Sequence, residues 1–349
     1  MVGTVGIGLS GGVDSAWAAV SLLKEGYAVR SYTMLLQDGG EPTAQKAAAV
    51  AQKMGIPHRV LDLRNEFKEK ILDYFVAEYA AGRTPSPCVR CNSLVKFGLL
   101  REATRADGCE RIATGHYARR EELGEGRVGL FRGAEPVKDQ SYFLGLLTQE
   151  QLRDALFPVG TRQDKNAVKE EMAKLGLVPK EQSESQDLCF LPNGAFAEFV
   201  SAHRPELVRR GKILEEGTGR ILGEHEGAFA YTVGQRRGLG VGGGPWFVTR
   251  TSVPENLVYV SRSAAGCREV LLREVNWLVE EPCVGGSLEC EAQLRYRMRP
   301  RQCTAVNLGE GRVKLLFGED APAVPAGQLG CGYQGDRVIL AGWIQGETR

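Results

Sequence analysis

The first 26 residues constrain the fold of this chain more than any other stretch. An apolar run, residues 2–7, leads into a loop, and a largely apolar segment, residues 16–23, follows it. The loop reads Gly8, Leu9, Ser10, Gly11, Gly12, Val13, Asp14 and Ser15. Its paired glycines allow turn conformations that other residues avoid, so successive backbone N–H groups can converge on an anion at the positive end of a helix. This order predicts a buried strand, a phosphate-binding loop and a helix that ends near Gly26.

Asp14 is the acidic residue of this loop. A carboxylate that faces phosphates is unfavourable, so its presence predicts either a bound cation such as Mg²⁺ or an N-cap of the following helix. The loop has neither the Walker pattern nor the Gly-x-Gly-x-x-Gly pattern of dinucleotide sites. It resembles instead the pyrophosphate loop of the ATP pyrophosphatases, enzymes that adenylate a substrate carbonyl oxygen and release pyrophosphate. The resemblance implies that ATP binds here.

Length and composition bound the number of domains and the kind of partner. With 349 residues the chain is too long for one ordinary core, so we expect two or three domains. No apolar run is long enough to span a membrane and no signal peptide is recognisable, so we expect a cytoplasmic protein. Nine cysteines at irregular spacing predict reduced thiols. A net charge of +1 implies that a nucleic-acid partner would bind local basic patches.

The N-terminal part of the chain alternates between short apolar strands and amphipathic helices. The pattern predicts strands at 2–7, 29–36, 58–63 and 111–114, helices at 43–54, 67–79 and 97–106, and a helical extension over 145–182. Such alternation favours an α/β fold with a doubly wound parallel sheet and a ligand at the carboxyl ends of its strands. Met34 and Gly115 follow two of these strands. We assign residues 1–204 to this catalytic domain.

The sequence after residue 205 is rich in glycine, β-branched residues and turns. It predicts a small central β domain over 205–264, with strands at 211–214, 228–233, 247–251 and 257–261. A second β domain over 265–349 is predicted as a barrel, with strands at 270–278, 286–296, 302–308, 312–317 and 337–344.

Two cysteine segments can carry chemistry. Cys88 and Cys91 form a Cys-x-x-Cys pair that follows two prolines and opens a helix, where the helix N-terminus and neighbouring basic residues favour a thiolate. Half of a zinc site is the structural alternative, although a partner Cys-x-x-Cys motif is absent from the sequence. Cys189, which precedes Phe190, would by itself indicate core packing.

Taken together, several segments resemble the tRNA-specific 2-thiouridylases: residues 10–15, Cys91 and its surroundings, and residues 113–117, 138–143, 186–190 and 231–240. The resemblance continues to residues 295–297 and 342–344, so it covers nearly the whole chain. It implies that ATP binds at residues 8–15, Met34 and Gly115. It also implies that O2 of the wobble uridine of tRNA attacks the α-phosphate and that sulfur then replaces the activated oxygen. Relatives usually have a longer acidic insertion after Met34.

The resemblance also implies roles for the cysteines and for the tRNA contacts. Cys189 would receive sulfur from a donor protein, and Cys91 would be the nucleophile that closes a disulfide as sulfur is released. An alternative for the sulfur step is a [4Fe–4S] cluster held by Cys88, Cys91 and Cys189, with one iron open to sulfide. The resemblance implies that the helical extension, at about residues 145–204, binds tRNA. Residues implied to contact tRNA are His116, Lys138, Asp139, Gln140, Arg295, Tyr296 and Gln328.

Two other functions compete with this interpretation. One is a ligase of the argininosuccinate-synthase or amidotransferase type, which would use the same ATP loop to join nitrogen, without tRNA. The other is a non-catalytic iron–sulfur or RNA-binding protein that uses only the β domains, and the intact phosphate loop disfavours it. The basic run 295–301 with its interleaved tyrosine suits RNA phosphates and base stacking.

Overall fold

The computed structural model describes residues 2–179, 188–191, 195–264 and 266–346. The chain divides into two units. The first contains Met1–Ile71, Cys88–Gln186 and Gly335–Ile339, and the second contains Leu72–Pro87, Asp187–Gln334 and Leu340–Arg349. None of the helices in the described ranges is long and apolar enough to cross a membrane.

The first unit is built on a parallel sheet, which confirms the predicted fold class. Its five strands lie in the order His58–Asp62, Ala28–Leu35, Thr4–Gly8, Arg111–Ala113 and Ala155–Leu156. Val5 and Ile7 of the central strand lie on the same face of the sheet, and both are fully buried. Four of the strands were expected, whereas Ala155–Leu156 falls in a segment predicted as helical.

Helices surround this sheet in the first unit. They are Val13–Lys24, Glu41–Met54, Arg64–Phe67, Pro87–Cys91, Arg101–Ala106, Gln149–Asp154 and Lys165–Lys174, with π-helical turns at Lys68–Leu72 and Asn92–Leu100 and 3₁₀ turns at Ser141–Leu144 and Pro158–Thr161. The start signal at Asp164 is confirmed, because its carboxylate accepts hydrogen bonds from two backbone N–H groups of the first turn. Gly176 ends this region with a φ of 65°. The predicted helical segment runs on to residues 180–182, which lie outside the described residues.

An antiparallel hairpin of Ala118–Glu122 and Val128–Arg132 was not expected from the sequence. Its first strand reads Ala-Arg-Arg-Glu-Glu, which lacks the apolar alternation that marks a half-buried strand. Arg337 and Val338 pair with its second strand and complete this part of the first unit.

The central part of the second unit is a four-stranded sheet. Its order is Phe247–Ser252, Leu257–Ser261, Gly211–Glu215 and Ile221–His225. The prediction of a strand at 228–233 is wrong, because Ala228–Ala230 forms a 3₁₀ turn. The N–H of Tyr231 donates within the turn to Ala228 O, and the N–H of Ala228 donates to the side-chain oxygen of Asn256.

Six antiparallel strands close into a barrel at the end of the second unit, as the sequence predicts. In order they are Gly266–Trp277, Arg312–Pro322, Arg301–Gly309, Ser287–Gln293, Leu329–Gln334 and Arg337–Gly346. The strand Leu329–Gln334 was missed because glycines interrupt its apolar pattern. Helices Asp73–Ala80 and Phe196–His203 and the 3₁₀ turn Pro205–Leu207 also belong to this unit. The two helices pack through stacked rings of Tyr79 and Phe196, whose centroids lie 4.7 Å apart.

Candidate active site

The phosphate loop lies at the carboxyl end of the central strand of the first unit. Gly11 has a φ of 72°, which a residue with a side chain avoids. The loop is fixed to the neighbouring strand by two hydrogen bonds: Leu9 N–H donates to Tyr32 O at 2.8 Å, and the Thr33 hydroxyl donates to Leu9 O at 2.6 Å. The strand–loop–helix prediction is therefore confirmed.

Ser10 and Ser15 face each other inside the loop. Their hydroxyl oxygens lie 3.2 Å apart, and the Ser15 hydroxyl also lies 3.1 Å from Gly12 O, to which it donates. The backbone N–H groups of Ser10 and Gly12 approach these same hydroxyls at 3.3 and 3.4 Å. The donors predicted for phosphate are thus gathered in one place by contacts within the loop itself.

Gly115 brings the end of another strand against the start of the first helix. A Cβ atom at this position would lie 2.8 Å from Asp14 C and 2.8 Å from Ser15 N, which is closer than real Cβ contacts. The glycine therefore permits a backbone approach that a side chain would prevent. Two of the segments predicted to bind ATP are brought together here, and Met34 is half-buried near the end of the strand that pairs with the central strand.

Asp14 has two protein partners beside the phosphate loop. It is not the N-cap, because Gly12 takes that position and Asp14 lies in the first turn of the helix. Its Oδ1 accepts a hydrogen bond from the Tyr117 hydroxyl at 2.9 Å, and its Oδ2 lies 3.0 Å from the ammonium of Lys165. Each carboxylate oxygen thus has one protein partner, and the predicted Mg²⁺ role of Asp14 stays a prediction. The cation beside Asp14 is a lysine that sequence reasoning missed.

Cys88 and Cys91 lie on the short helix Pro87–Cys91, Cys88 half-buried and Cys91 buried. Their spacing of three residues places them on one face of that helix. The π-helical turn Asn92–Leu100 follows this helix, and it contains the backbone carbonyls of Ser93 and Phe97. The Gln151 amide donates to both carbonyls, Ser93 O at 2.9 Å and Phe97 O at 3.0 Å, and so holds the segment after Cys91.

Cys189 belongs to the second unit and is exposed. It lies in a turn that is closed by a hydrogen bond from Leu191 N–H to Leu188 O at 2.9 Å. The next residue, Phe190, is buried with its ring 5.2 Å from that of Phe75 and 5.7 Å from that of Phe199. The phenylalanine, rather than the cysteine, is the core residue of this pair. Gln186 and Asp187 of the same motif lie outside the described residues.

In the part of the chain that is described, no three His, Cys, Asp or Glu side chains group closely enough to hold a metal ion. The iron–sulfur role of Cys88, Cys91 and Cys189 stays a prediction.

His116 is buried among aromatic rings of the first unit. Its Nδ1 lies 2.7 Å from the Thr114 hydroxyl, and its ring centroid lies 6.3 Å from those of both Phe97 and Phe157. Burial, with a smaller contribution from the nearby charge of Lys96, holds the pKa of His116 well below its usual range. The imidazole is therefore neutral. Its predicted contact with tRNA stays a prediction.

Residues 138–140 form a loop that hydrogen bonds within the protein hold in place. Asp139 is buried, and its carboxylate accepts hydrogen bonds from the Arg132 guanidinium, Gly133 N–H and both the N–H and the hydroxyl of Ser141, each at 3.0 Å. The Gln140 side chain accepts from Tyr117 N–H at 3.0 Å. Asp139 and Gln140 thus shape the loop, and Lys138 is half-buried beside them. Direct contact of these residues with tRNA is untested.

Gln328 of the second unit is bound to the proline-rich segment that precedes Cys88. Its amide donates to Thr84 O at 3.0 Å and to Pro85 O at 3.2 Å, and Thr84 N–H donates to Ala326 O at 2.8 Å. A residue expected to contact tRNA therefore also fixes this segment. The sequence could not predict it, because the two partners lie 244 residues apart.

The basic run in the second unit presents its charges to solvent. Arg295, Arg297 and Arg299 are exposed, and Tyr296 is half-buried between them. The Arg297 guanidinium lies 5.3 Å from the centre of the Tyr296 ring. Exposed arginines around one aromatic ring suit phosphate contact and base stacking.

Known families and relatives match nearly the whole of this chain. Family models match residues 3–193 (tRNA methyl transferase HUP domain), 197–262 (tRNA methyl transferase PRC-barrel domain) and 267–344 (aminomethyltransferase beta-barrel domain). The tRNA-specific 2-thiouridylase MnmA of Rickettsia conorii is 39% identical over 99% of this chain and 96% of its own length. The Rickettsia massiliae protein of the same name is 39% identical over 99% and 98%. One solved structure that resembles this chain is the crystal structure of a predicted subunit of tRNA methyltransferase from Methanocaldococcus jannaschii, with a TM-score of 0.31. The two sequences are 19% identical, and the match covers 53% of this chain and 94% of the other.

Proposed function

Because the chain belongs to the tRNA-specific 2-thiouridylases, a family of tRNA sulfurtransferases, we propose that it makes 2-thiouridine at the wobble position of tRNA, position 34. In the first step, O2 of the uridine attacks the α-phosphorus of ATP and pyrophosphate leaves. In the second step, sulfur attacks C2 of the base and AMP leaves. Activation is required because an unmodified carbonyl oxygen is a very poor leaving group. The phosphate loop at residues 8–15 is the observation that carries the proposal.

The loop supports adenylation through its arrangement of donors. Backbone N–H groups at the start of helix Val13–Lys24 and the two serine hydroxyls stand at one site, where developing negative charge on the phosphates is stabilised. Gly115 closes this site from one side. The serine hydroxyls and the N–H groups of Ser10 and Gly12 are hydrogen-bonded within the loop, so phosphate oxygens would replace these bonds when ATP arrives.

For the sulfur step, the two cysteines have contrasting environments. Cys189 is exposed, as a residue that takes sulfur from a donor protein must be, and it would carry that sulfur as a persulfide. The terminal sulfur attacks C2 of the adenylated uridine, after which the buried Cys91 thiolate attacks the Cys189 sulfur. A disulfide between the two cysteines forms, 2-thiouridine leaves, and an external thiol restores both cysteines.

A cluster-bound sulfide is the second candidate for the sulfur step. The observation that favours it is the placement of Cys88 and Cys91 on one face of a short helix, since a pair of neighbouring thiolates suits an iron–sulfur cluster. The test is the iron and acid-labile sulfide content of protein purified without oxygen, compared with Cys88→Ala. About four irons per chain, lost in the variant, would establish the cluster. An iron-free protein that is active with a persulfide donor would establish the relay.

The partners of the reaction follow from the same chemistry. We propose that tRNA binds through the exposed arginines of the basic run, in which case its affinity falls as salt rises. Mg²⁺ would accompany ATP into the reaction and neutralise the departing pyrophosphate. The sulfur donor is a protein persulfide or, in the cluster alternative, sulfide.

The experiment that tests the proposed function measures pyrophosphate release and 2-thiouridine formation with and without tRNA. We expect both products only when ATP and tRNA are present together. A ligase of the nitrogen-joining type would release pyrophosphate with a small amine acceptor and without tRNA, which would contradict the proposal. Absence of any pyrophosphate release would favour a non-catalytic RNA-binding protein.

A further inference from the structure

The phosphate loop lacks a basic side chain. Residues 8–15 contain neither lysine nor arginine, unlike the Walker loop, in which a lysine reaches the phosphates. Asp14 adds a full negative charge in the first turn of the helix, where the helix dipole would otherwise favour an anion. A triphosphate at this loop therefore needs a side-chain cation from another part of the chain.

Lys165 supplies a cation at this place. Its ammonium lies 3.0 Å from Asp14 Oδ2 and 5.4 Å from the centre of the Tyr117 ring, and its side chain is only 12% exposed. The Tyr117 hydroxyl donates to the other oxygen of the same carboxylate at 2.9 Å. A lysine this buried is costly unless it is paired, so the arrangement fixes the ammonium beside the loop.

The helix that carries Lys165 is bonded to the helix that follows the phosphate loop. Lys165 is the first residue of helix Lys165–Lys174, and Glu171 of that helix accepts from the Trp17 indole N–H at 2.7 Å. The other oxygen of Glu171 lies 2.6 Å from the ammonium of Lys24. Both partners of Glu171 belong to helix Val13–Lys24. These contacts fix the position of Lys165 relative to the loop.

We propose that Lys165 binds the triphosphate of ATP, and that Asp14 and Tyr117 are positioning residues that hold its ammonium at the loop. This inference rests on the proposed function, because it assumes that ATP is the substrate. In this arrangement Asp14 is the counter-ion of a lysine rather than a metal ligand. The ammonium offsets the negative charge of Asp14, which would otherwise repel the phosphates, and its remaining N–H groups can donate to a phosphate oxygen.

The test compares ATP binding, by titration calorimetry without tRNA, for the wild type, Lys165→Met, Lys165→Arg and Lys174→Met. Lys174 is exposed at the opposite end of the same helix, so its variant is the matched control. We expect Lys165→Met to bind ATP at least about tenfold more weakly, Lys165→Arg to recover much of this loss, and the control to be unchanged. In pyrophosphate release the KM for ATP should rise more than kcat falls.

Asp14→Asn separates a positioning role from a metal-binding role. If Asp14 acts through Lys165, the substitution weakens ATP binding in the presence of EDTA, and it has no further effect in a protein that already carries Lys165→Met. If Asp14 binds a metal, its substitution affects only ATP binding with Mg²⁺ present, which would overturn the assignment of Asp14.

Thermal melting establishes which variants are folded. A folded Lys165→Met protein that binds ATP as tightly as the wild type would overturn the inference and leave the proposed function intact. A wild-type protein that binds no ATP would instead overturn the proposed function. If Lys165→Met does not fold, the comparison is made with Lys165→Arg and Lys165→Gln, and unchanged binding by folded Lys165→Gln would overturn the inference.

Discussion

The phosphate loop and the turn that carries Cys189 present their reactive groups in opposite ways. In the loop, the groups that would meet ATP are bonded to one another: Ser10 to Ser15, and Asp14 to Lys165. In the turn, the reactive residue is exposed while its neighbour Phe190 is buried. A substitution in the loop should therefore disturb several hydrogen bonds at once. A substitution at Cys189 should remove the reactive sulfur and leave the fold intact.

The largest effect is expected for Cys189→Ser. Formation of 2-thiouridine should fall at least about a thousandfold, because a hydroxyl cannot carry a persulfide, while the melting temperature stays the same. Nucleoside mass spectrometry after digestion of the tRNA measures the product. Cys283→Ser is the matched control, since Cys283 is also exposed in the second unit. Full formation of 2-thiouridine by Cys189→Ser would show that Cys189 does not carry the sulfur.

Phe190→Ala tests the structural side of the same turn. Removing a buried ring that contacts Phe75 and Phe199 should lower the free energy of unfolding by about 3–5 kcal/mol. Urea denaturation gives this value, and Phe190→Leu should cost less because it leaves a smaller cavity. A loss below about 1 kcal/mol for Phe190→Ala would mean that the ring does not anchor the turn.

Gly115→Ala tests whether the loop depends on close backbone packing. The new methyl group would meet backbone atoms of Asp14 and Ser15 at 2.8 Å, so the two segments must move apart. We expect the free energy of unfolding, or the binding free energy of ATP, to decrease in magnitude by about 1–3 kcal/mol. Gly318→Ala is the control, because nothing lies within 4 Å of a Cβ atom at that position. Equal behaviour of the two variants would contradict the packing argument.

The smallest effect is expected from pH, through His116. Its pKa is lowered in the folded state, so the unfolded chain takes up the proton first as pH falls below the ordinary value of 6.5. Stability contributed by the neutral ring is complete above that pH and decreases as pH falls below it. The measurement is the free energy of unfolding at pH 7.5 and 5.5.

The variant His116→Asn isolates this contribution from those of His58 and His225, whose pKa values burial also lowers. The variant should lose less stability between the two pH values than the wild type. An identical pH dependence of the two proteins would show that His116 is not held neutral by its surroundings.

Much of the first unit could be predicted because its signals are local. Short apolar runs such as residues 2–7 predict buried strands, and paired glycines between a strand and a helix predict the loop. The closed barrel also follows from alternation along consecutive strands. The strand Ala118–Glu122 could not be predicted, since its polar residues carry no alternation.

The contacts that complete the site could not be predicted for a different reason. Asp14 and Lys165 lie 151 residues apart, and no pattern near either residue marks the other. An aspartate in a phosphate loop suggests a cation by its charge alone, and only the fold determines that this cation is a lysine.

The most direct test of the proposed reaction traps its intermediate. Cys189→Ser protein is incubated with tRNA and ATP labelled at the α-phosphate, and the label attached to tRNA is measured and mapped. We expect AMP bound to the wobble uridine, with an equal amount of pyrophosphate released and no 2-thiouridine. Pyrophosphate release without labelled tRNA, or 2-thiouridine formed by the wild type without ATP, would contradict it.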